Sequence, residues 1–172
     1  MPVQEKRGRA TKKTGDRGTK RIKKELPVIG WREWAGLPDL GLEEIKVKID
    51  TGARSSALHA FEIHEFERDG KLMVSFVLHP YQRDNRITIH AEAELAGYRR
   101  VRNPGGRIES RPCIRTRIKL LGKEWIIDLT LTNRDMMGFR MLLGRQAVRG
   151  RFLVHAGRSY LARKVMRKKK NN

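Results

Sequence analysis

The 172-residue chain has a single cysteine, Cys113. One thiol closes no disulfide within the chain and builds no cysteine-based zinc site. A reducing compartment is compatible with that. No HExxH helix motif, GxxxxGK[ST] loop or GxSxG elbow occurs. The usual zinc-protease helix, the P-loop and the nucleophile elbow are therefore excluded. No apolar run approaches the roughly 18–20 residues of a membrane helix. The N-terminus is basic, but no apolar stretch of about seven residues follows it. The expectation is a cytoplasmic protein with no secretory leader and no membrane span. Aromatic residues make up only 6% of the chain, and no aromatic platform with the Gly-rich basic signature of an RNA-binding sheet is readable.

Basic charge is abundant and unevenly placed. Residues 1–25 hold ten Lys/Arg and three acids, and residues 163–170 hold six Lys/Arg and no acids. Such segments bury too little apolar area to offset their chain entropy. They read as a disordered basic arm (1–25) and a basic C-terminal tail (163–172), each suited to weak polyanion contact. Residues 26–162 keep 23 Lys/Arg against 16 Asp/Glu, enough balance for one packed domain.

Within that domain the apolar residues alternate. Ile45, Val47 and Ile49 are separated by lysines, the period of a half-buried strand. Segments 57–66, 71–79, 86–95, 110–121 and 125–131 read as further strands. Asp69-Gly70 and Gly122-Lys123 mark hairpins, and Phe152–His155 with Ser159–Ala162 reads as a last hairpin around Gly157. Pro38–Leu42 is a connector, and Gln146–Arg149 could begin a short helical turn. Short strands at about ten-residue spacing predict an all-β closed barrel or sandwich.

The five histidines are His59, His64, His79, His90 and His155. His59 and His64 fall on opposite faces of a strand. No metal and no cofactor are expected. Cys113, Trp125, Met136, Met137 and Met141 read as structural filler.

Asp50-Thr51-Gly52-Ala53 ends the first clear strand. A carboxylate can act as a general base on water when a second carboxylate about 3 Å away shares its proton. Such a site needs Asp at a strand end, Gly where the backbone turns closely, and hydroxyls nearby. Asp50, Gly52, Thr51 and Ser55 meet those needs. A turn-capping Asp50 that accepts nearby N–H groups is the plainer alternative. Later in the chain, Leu142-Leu143-Gly144-Arg145 forms an apolar-apolar-Gly-Arg run whose first role is structural support. Between the two motifs, Asn103-Pro104-Gly105-Gly106 is the densest turn signal.

An early DTGA, a Gly/Pro-rich hairpin and a late apolar-apolar-Gly-Arg resemble the retropepsin-like aspartic proteases. The segments LPVIGWREWAGLPDLGLEEIKVKIDTGARSSALHA, Leu131–Arg134 and MLLGRQ are more closely similar to the bacterial retropepsin-like family labelled ATP-dependent zinc protease. That family is associated with RimK-type ATP-grasp ligases. The resemblance spans residues 26–162. It implies a retropepsin-like barrel in which the late motif packs beneath the Asp50 loop and residues 103–106 form a flap. No zinc motif or nucleotide loop is visible, so the ATP would belong to the ligase partner. Viral retropepsins carry an acid after DTGA that pairs with the late Arg. Here Arg54 stands there, a like charge to Arg145.

Only one DTG occurs, and neither Asp128 nor Asp135 precedes a Thr/Ser-Gly. A working carboxylate pair then needs two chains, each contributing Asp50 across a twofold axis. Three functions remain open: a homodimeric aspartic peptidase acting on a peptide or protein; a non-catalytic peptide-binding partner of a RimK-type ligase; and a ribosome- or RNA-associated protein driven by the basic tails.

Overall fold

The computed structural model describes residues 25–81, 87–102, 105–133 and 138–163. Eleven strands carry the described chain. They are β1 (Val28–Gly30), β2 (Arg32–Leu37), β3 (Leu42–Asp50), β4 (Ser56–His59), β5 (Phe61–Arg68) and β6 (Lys71–Leu78). After these come β7 (Ile89–Arg102), β8 (Ile108–Leu120), β9 (Lys123–Thr132), β10 (Met141–Gly144) and β11 (Leu153–His155). A 3-10 turn (Pro38–Leu40) precedes β3, and one helical turn, α1 (Arg145–Val148), follows β10.

Nine strands form one sheet in the order β2-β3-β10-β4-β9-β8-β7-β6-β5. A β2–β8 pairing, Gly36 opposite Lys119, closes the first six into a ring. The fold is therefore all-β and retropepsin-like, with the sheet turned on itself. Alternation explains the packing. Ile45, Val47 and Ile49 of β3 are buried in the core, as are Ile118 and Leu120 of β8, while Arg117 and Lys119 face outward.

Several expected elements differ in detail. The second hairpin turns at Leu121-Gly122, both at positive φ (53° and 72°), one residue earlier than the sequence suggested. Strand β7 runs on to Arg102 because a register shift between Leu95 and Gly97 lets it leave β6 and pair with β8. Phe152–His155 and Ser159–Ala162 form no hairpin. Instead β11 pairs in parallel with β1, Val28 opposite Leu153. Met136 and Met137 lie outside the described residues, whereas Met141 and Cys113 are fully buried and Trp125 packs on Phe152. Burial pushes the Cys113 thiol pKa up, which suits a filler residue rather than a nucleophile.

The two ends of the domain are tied by a buried carboxylate. Glu33 is 0% exposed, and its Oε1 accepts N–H bonds from Gly30 (2.6 Å), Leu161 (2.8 Å) and Ala162 (3.2 Å). A charge is tolerated there because backbone donors replace its water. Glu33→Gln turns one acceptor oxygen into an NH2 donor facing N–H groups. The expected cost is about 1–3 kcal/mol, read as a fall in the urea midpoint. An unchanged midpoint would refute this role.

Candidate active site

Asp50 ends β3, and its position is fixed by β10. Strand β10 lies between β3, to which it is parallel, and β4, to which it is antiparallel. In that register Gly144 sits beside Asp50. Gly144 crosses so close to the next strand that a Cβ would fall 2.4 Å from the carbonyl carbon and oxygen of Ser55. No larger residue fits without backbone movement. The Gly144 N–H donates to Ser56 Oγ (3.1 Å). The carbonyls of Ala53 and Arg54 accept the N–H groups of Arg145 (2.8 Å) and Gln146 (3.1 Å).

The Asp50 loop is thereby held at both ends. Asp50 Oδ1 accepts N–H bonds from Gly52 (3.1 Å) and Ala53 (3.0 Å). This is an Asx-type turn, so the capping reading of Asp50 is part of the geometry. It leaves Oδ2 without a bond to that turn. Arg145 donates from Nη1 to the Thr51 carbonyl (3.1 Å). An acid after DTGA is thus not required: a carbonyl takes the guanidinium. Sequence reasoning named Ser55 as the supporting hydroxyl. The structure gives that bond to Ser56, while Ser55 supplies its carbonyl to the close approach and lines the cleft.

The loop opens into a cleft of about 920 Å³. Its walls carry Arg54, Arg99, Arg100, Arg102 and Arg111 beside Asp50, together with a second acid, Asp128. Four of these arginines come from the β7–β8 hairpin, whose tip holds Gly105 and Gly106. Asn103 and Pro104 of the expected flap lie outside the described residues. Arg111 is 6% exposed and bonded to Glu109 through Nε (3.1 Å) and Nη2 (2.9 Å). It stands directly opposite Arg99 across the ladder, a like-charge pairing that the carboxylates of Glu109 and Asp128 offset.

Asp128 accepts Arg115 Nε (3.1 Å) and Arg99 Nη2 (3.2 Å). Burial pushes its pKa up, but the two arginine hydrogen bonds outweigh burial and hold the carboxyl below its ordinary range. Its stabilising effect is thus present at neutral pH and lost only as pH falls through that lowered value. Asp128 is an ionised anchor for Arg99. Among the described residues no three His, Cys, Asp or Glu side chains come together as a metal site.

Residues 28–165 match the family model described as "RimB-like: Retropepsin-like aspartic endopeptidase RimB". The chain belongs to the RimB-like family. It is 49% identical over 127 residues to a protein named "Probable alpha-L-glutamate ligase" from Parasynechococcus marenigrum (strain WH8102). That match covers 74% of this chain and 27% of the relative. A Shewanella halifaxensis protein of the same name is 44% identical over 133 residues, or 77% of this chain and 29% of that one. The chain thus spans under a third of these relatives' length. A crystal structure of a Legionella pneumophila protein of unknown function has a TM-score of 0.67 and 31% identity. It covers 79% of this chain and 98% of the other.

Sequence reasoning missed the cleft arginines of this RimB-like chain. The signal was present as the dense run Tyr98-Arg99-Arg100-Val101-Arg102, but only the β7–β8 pairing brings it to Asp50. Gly144→Ala tests the frame of the site. The expected outcome is a loss of about 1–3 kcal/mol in urea unfolding, as for overpacked cores, with Ser55 displaced. Wild-type stability in this variant would mean that β10 does not hold the loop.

Proposed function

We propose that this RimB-like chain is an aspartic peptidase whose Asp50 activates water as one half of a carboxylate pair. The carrying observation is Asp50 itself, seated at a strand end, held through Oδ1 by two N–H groups and open to a 920 Å³ cleft. The second carboxylate is Asp50 of the partner subunit in a twofold homodimer. Asp128 does not fill that role, because two guanidinium groups keep it ionised. Two such Asp50 groups share one proton; the ionised one takes a proton from water, and the protonated one hydrogen-bonds the scissile carbonyl oxygen.

Five arginines against two carboxylates along the cleft favour an acidic peptide. The relatives' name, alpha-L-glutamate ligase, supports the same chemistry. A chain bearing added glutamates is a ligand these guanidinium groups would bind. That name also supports a second reading, in which the cleft holds the acidic peptide for a RimK-type ligase without cutting it.

The test is cleavage of a peptide with an oligoglutamate end, beside one with an oligolysine end. The glutamate peptide should be cut, and the lysine peptide should not. Asp50→Asn should lower kcat by about 10²–10⁴-fold, the range for losing a positioned general base. Arg100→Ala should raise KM more than it lowers kcat. Cleavage that survives Asp50→Asn would refute the mechanism. Tight glutamate-peptide binding without cleavage by the wild type would leave the second reading.

A further inference from the structure

A smaller pocket opens beside the Asp50 cleft. It holds about 240 Å³ and is lined by Ser55, Ser56, Ile127, Asp128, Gln146 and Ala147. Ser55, Asp128 and Gln146 line the cleft as well, so the two spaces join. The volume is on the scale of a whole amino-acid side chain, far above the ~10–15 Å³ that one water occupies. The frame of the site builds this pocket. Ser55 and Ser56 open β4, Ile127 and Asp128 lie on β9 beside it, and Gln146 and Ala147 belong to α1.

The pocket has an apolar floor and a polar rim. Ile127, Ala147 and Ser56 are buried, and Ser56 Oγ already accepts the Gly144 N–H. Among the described residues, the Ser55 hydroxyl and the Gln146 side-chain amide have no hydrogen-bond partner. Asp128 gives one oxygen to Arg115 and the other to Arg99, and each oxygen keeps a second lone pair.

Charge separates the pocket from the cleft. Five arginines line the cleft; none lines the pocket, where Asp128 is the one charged lining residue. A substrate carboxylate entering the pocket meets the Asp128 oxygens first. A substrate ammonium must pass the five arginines, and it finds a carboxylate whose charge two guanidinium groups already offset. An apolar side chain leaves the Ser55 and Gln146 groups without water and without partners. A side-chain amide avoids all three costs. Its NH2 donates to Asp128 or to the Gln146 oxygen, and its carbonyl accepts from the Ser55 hydroxyl or the Gln146 NH2.

We propose that this pocket is a specificity subsite for an amide side chain, glutamine or asparagine, of the peptide held in the cleft. The proposal rests on the peptide-cleft reading above and deepens it. Acidic residues of the peptide lie along the arginines, while one neutral amide residue sets where the chain sits against Asp50. Gln146 and Ser55 determine that preference.

The test uses acidic peptides that differ at one position, occupied by Gln, Glu, Lys or Leu, with that position moved in turn along the sequence. Binding is read by fluorescence anisotropy on the full-length Asp50→Asn chain, and kcat/KM on the wild type. At the position that enters the pocket, the Gln peptide should bind at least about 5-fold better than the other three, the effect of one neutral hydrogen bond. Gln146→Leu should cancel that preference and turn it towards Leu, and Ser55→Ala should weaken it. Both variants keep the backbone frame, to which Ser55 offers its carbonyl and Gln146 its N–H. Equal binding of the four peptides at every position would overturn the subsite. So would a Gln146→Leu chain that keeps the glutamine preference or weakens on all four peptides alike. An amide preference in binding with no cutting would refute the peptidase and sustain the subsite, whereas cutting with no preference would do the reverse. Peptides neither bound nor cut would overturn both.

Discussion

The close crossing of Gly144 over the Ser55 carbonyl is the constraint on which the site depends. It lets β10 lie between β3 and β4, so that the Asp50 loop is gripped by backbone rather than by mobile side chains. From that crossing, Arg145 and Gln146 direct their N–H groups at Ala53 and Arg54, and the Arg145 guanidinium reaches Thr51. The carboxylate then needs only two short-range N–H bonds to be oriented. Backbone contacts of this kind keep their geometry when surface charges change, which explains how Arg54 can stand where an acid might have been expected.

Charge in the cleft is arranged differently. Arg111 is buried on its bond to Glu109, and Arg99 is held by Asp128. They stand opposite each other across the β7–β8 ladder, each with its own carboxylate. Arginines thus line one wall of the cleft, whereas Asp50 stands half-buried at the strand end on the other. The Asp50 loop and the cleft arginines come from different strands, β3 with β10 for the loop and β7 with β8 for four of the arginines.

What was legible in the sequence was local. Ile45–Ile49 announced β3 by its period, Asp69-Gly70 announced a turn, and Asp50 and Gly144 announced themselves by motif. The all-β class followed from such signals, and the family resemblance supplied the retropepsin-like arrangement. Features built from distant segments were not legible. Glu33 occupies an inward position where alternation calls for an apolar residue, and two of its donors, Leu161 and Ala162, come from the far end of the domain. The parallel β1–β11 pair looks like half of a hairpin until both ends of the chain are placed. Ser56 differs from Ser55 only in which side of the strand faces Gly144.

The central claim is that Asp50 works as a pair formed by two copies of the chain. Mixing wild-type and Asp50→Asn chains at constant total concentration, after subunit exchange, tests it most directly. If the site is shared, activity falls as the square of the wild-type fraction, because a mixed dimer has only one carboxylate. A linear fall, with each wild-type chain active alone, would contradict the account.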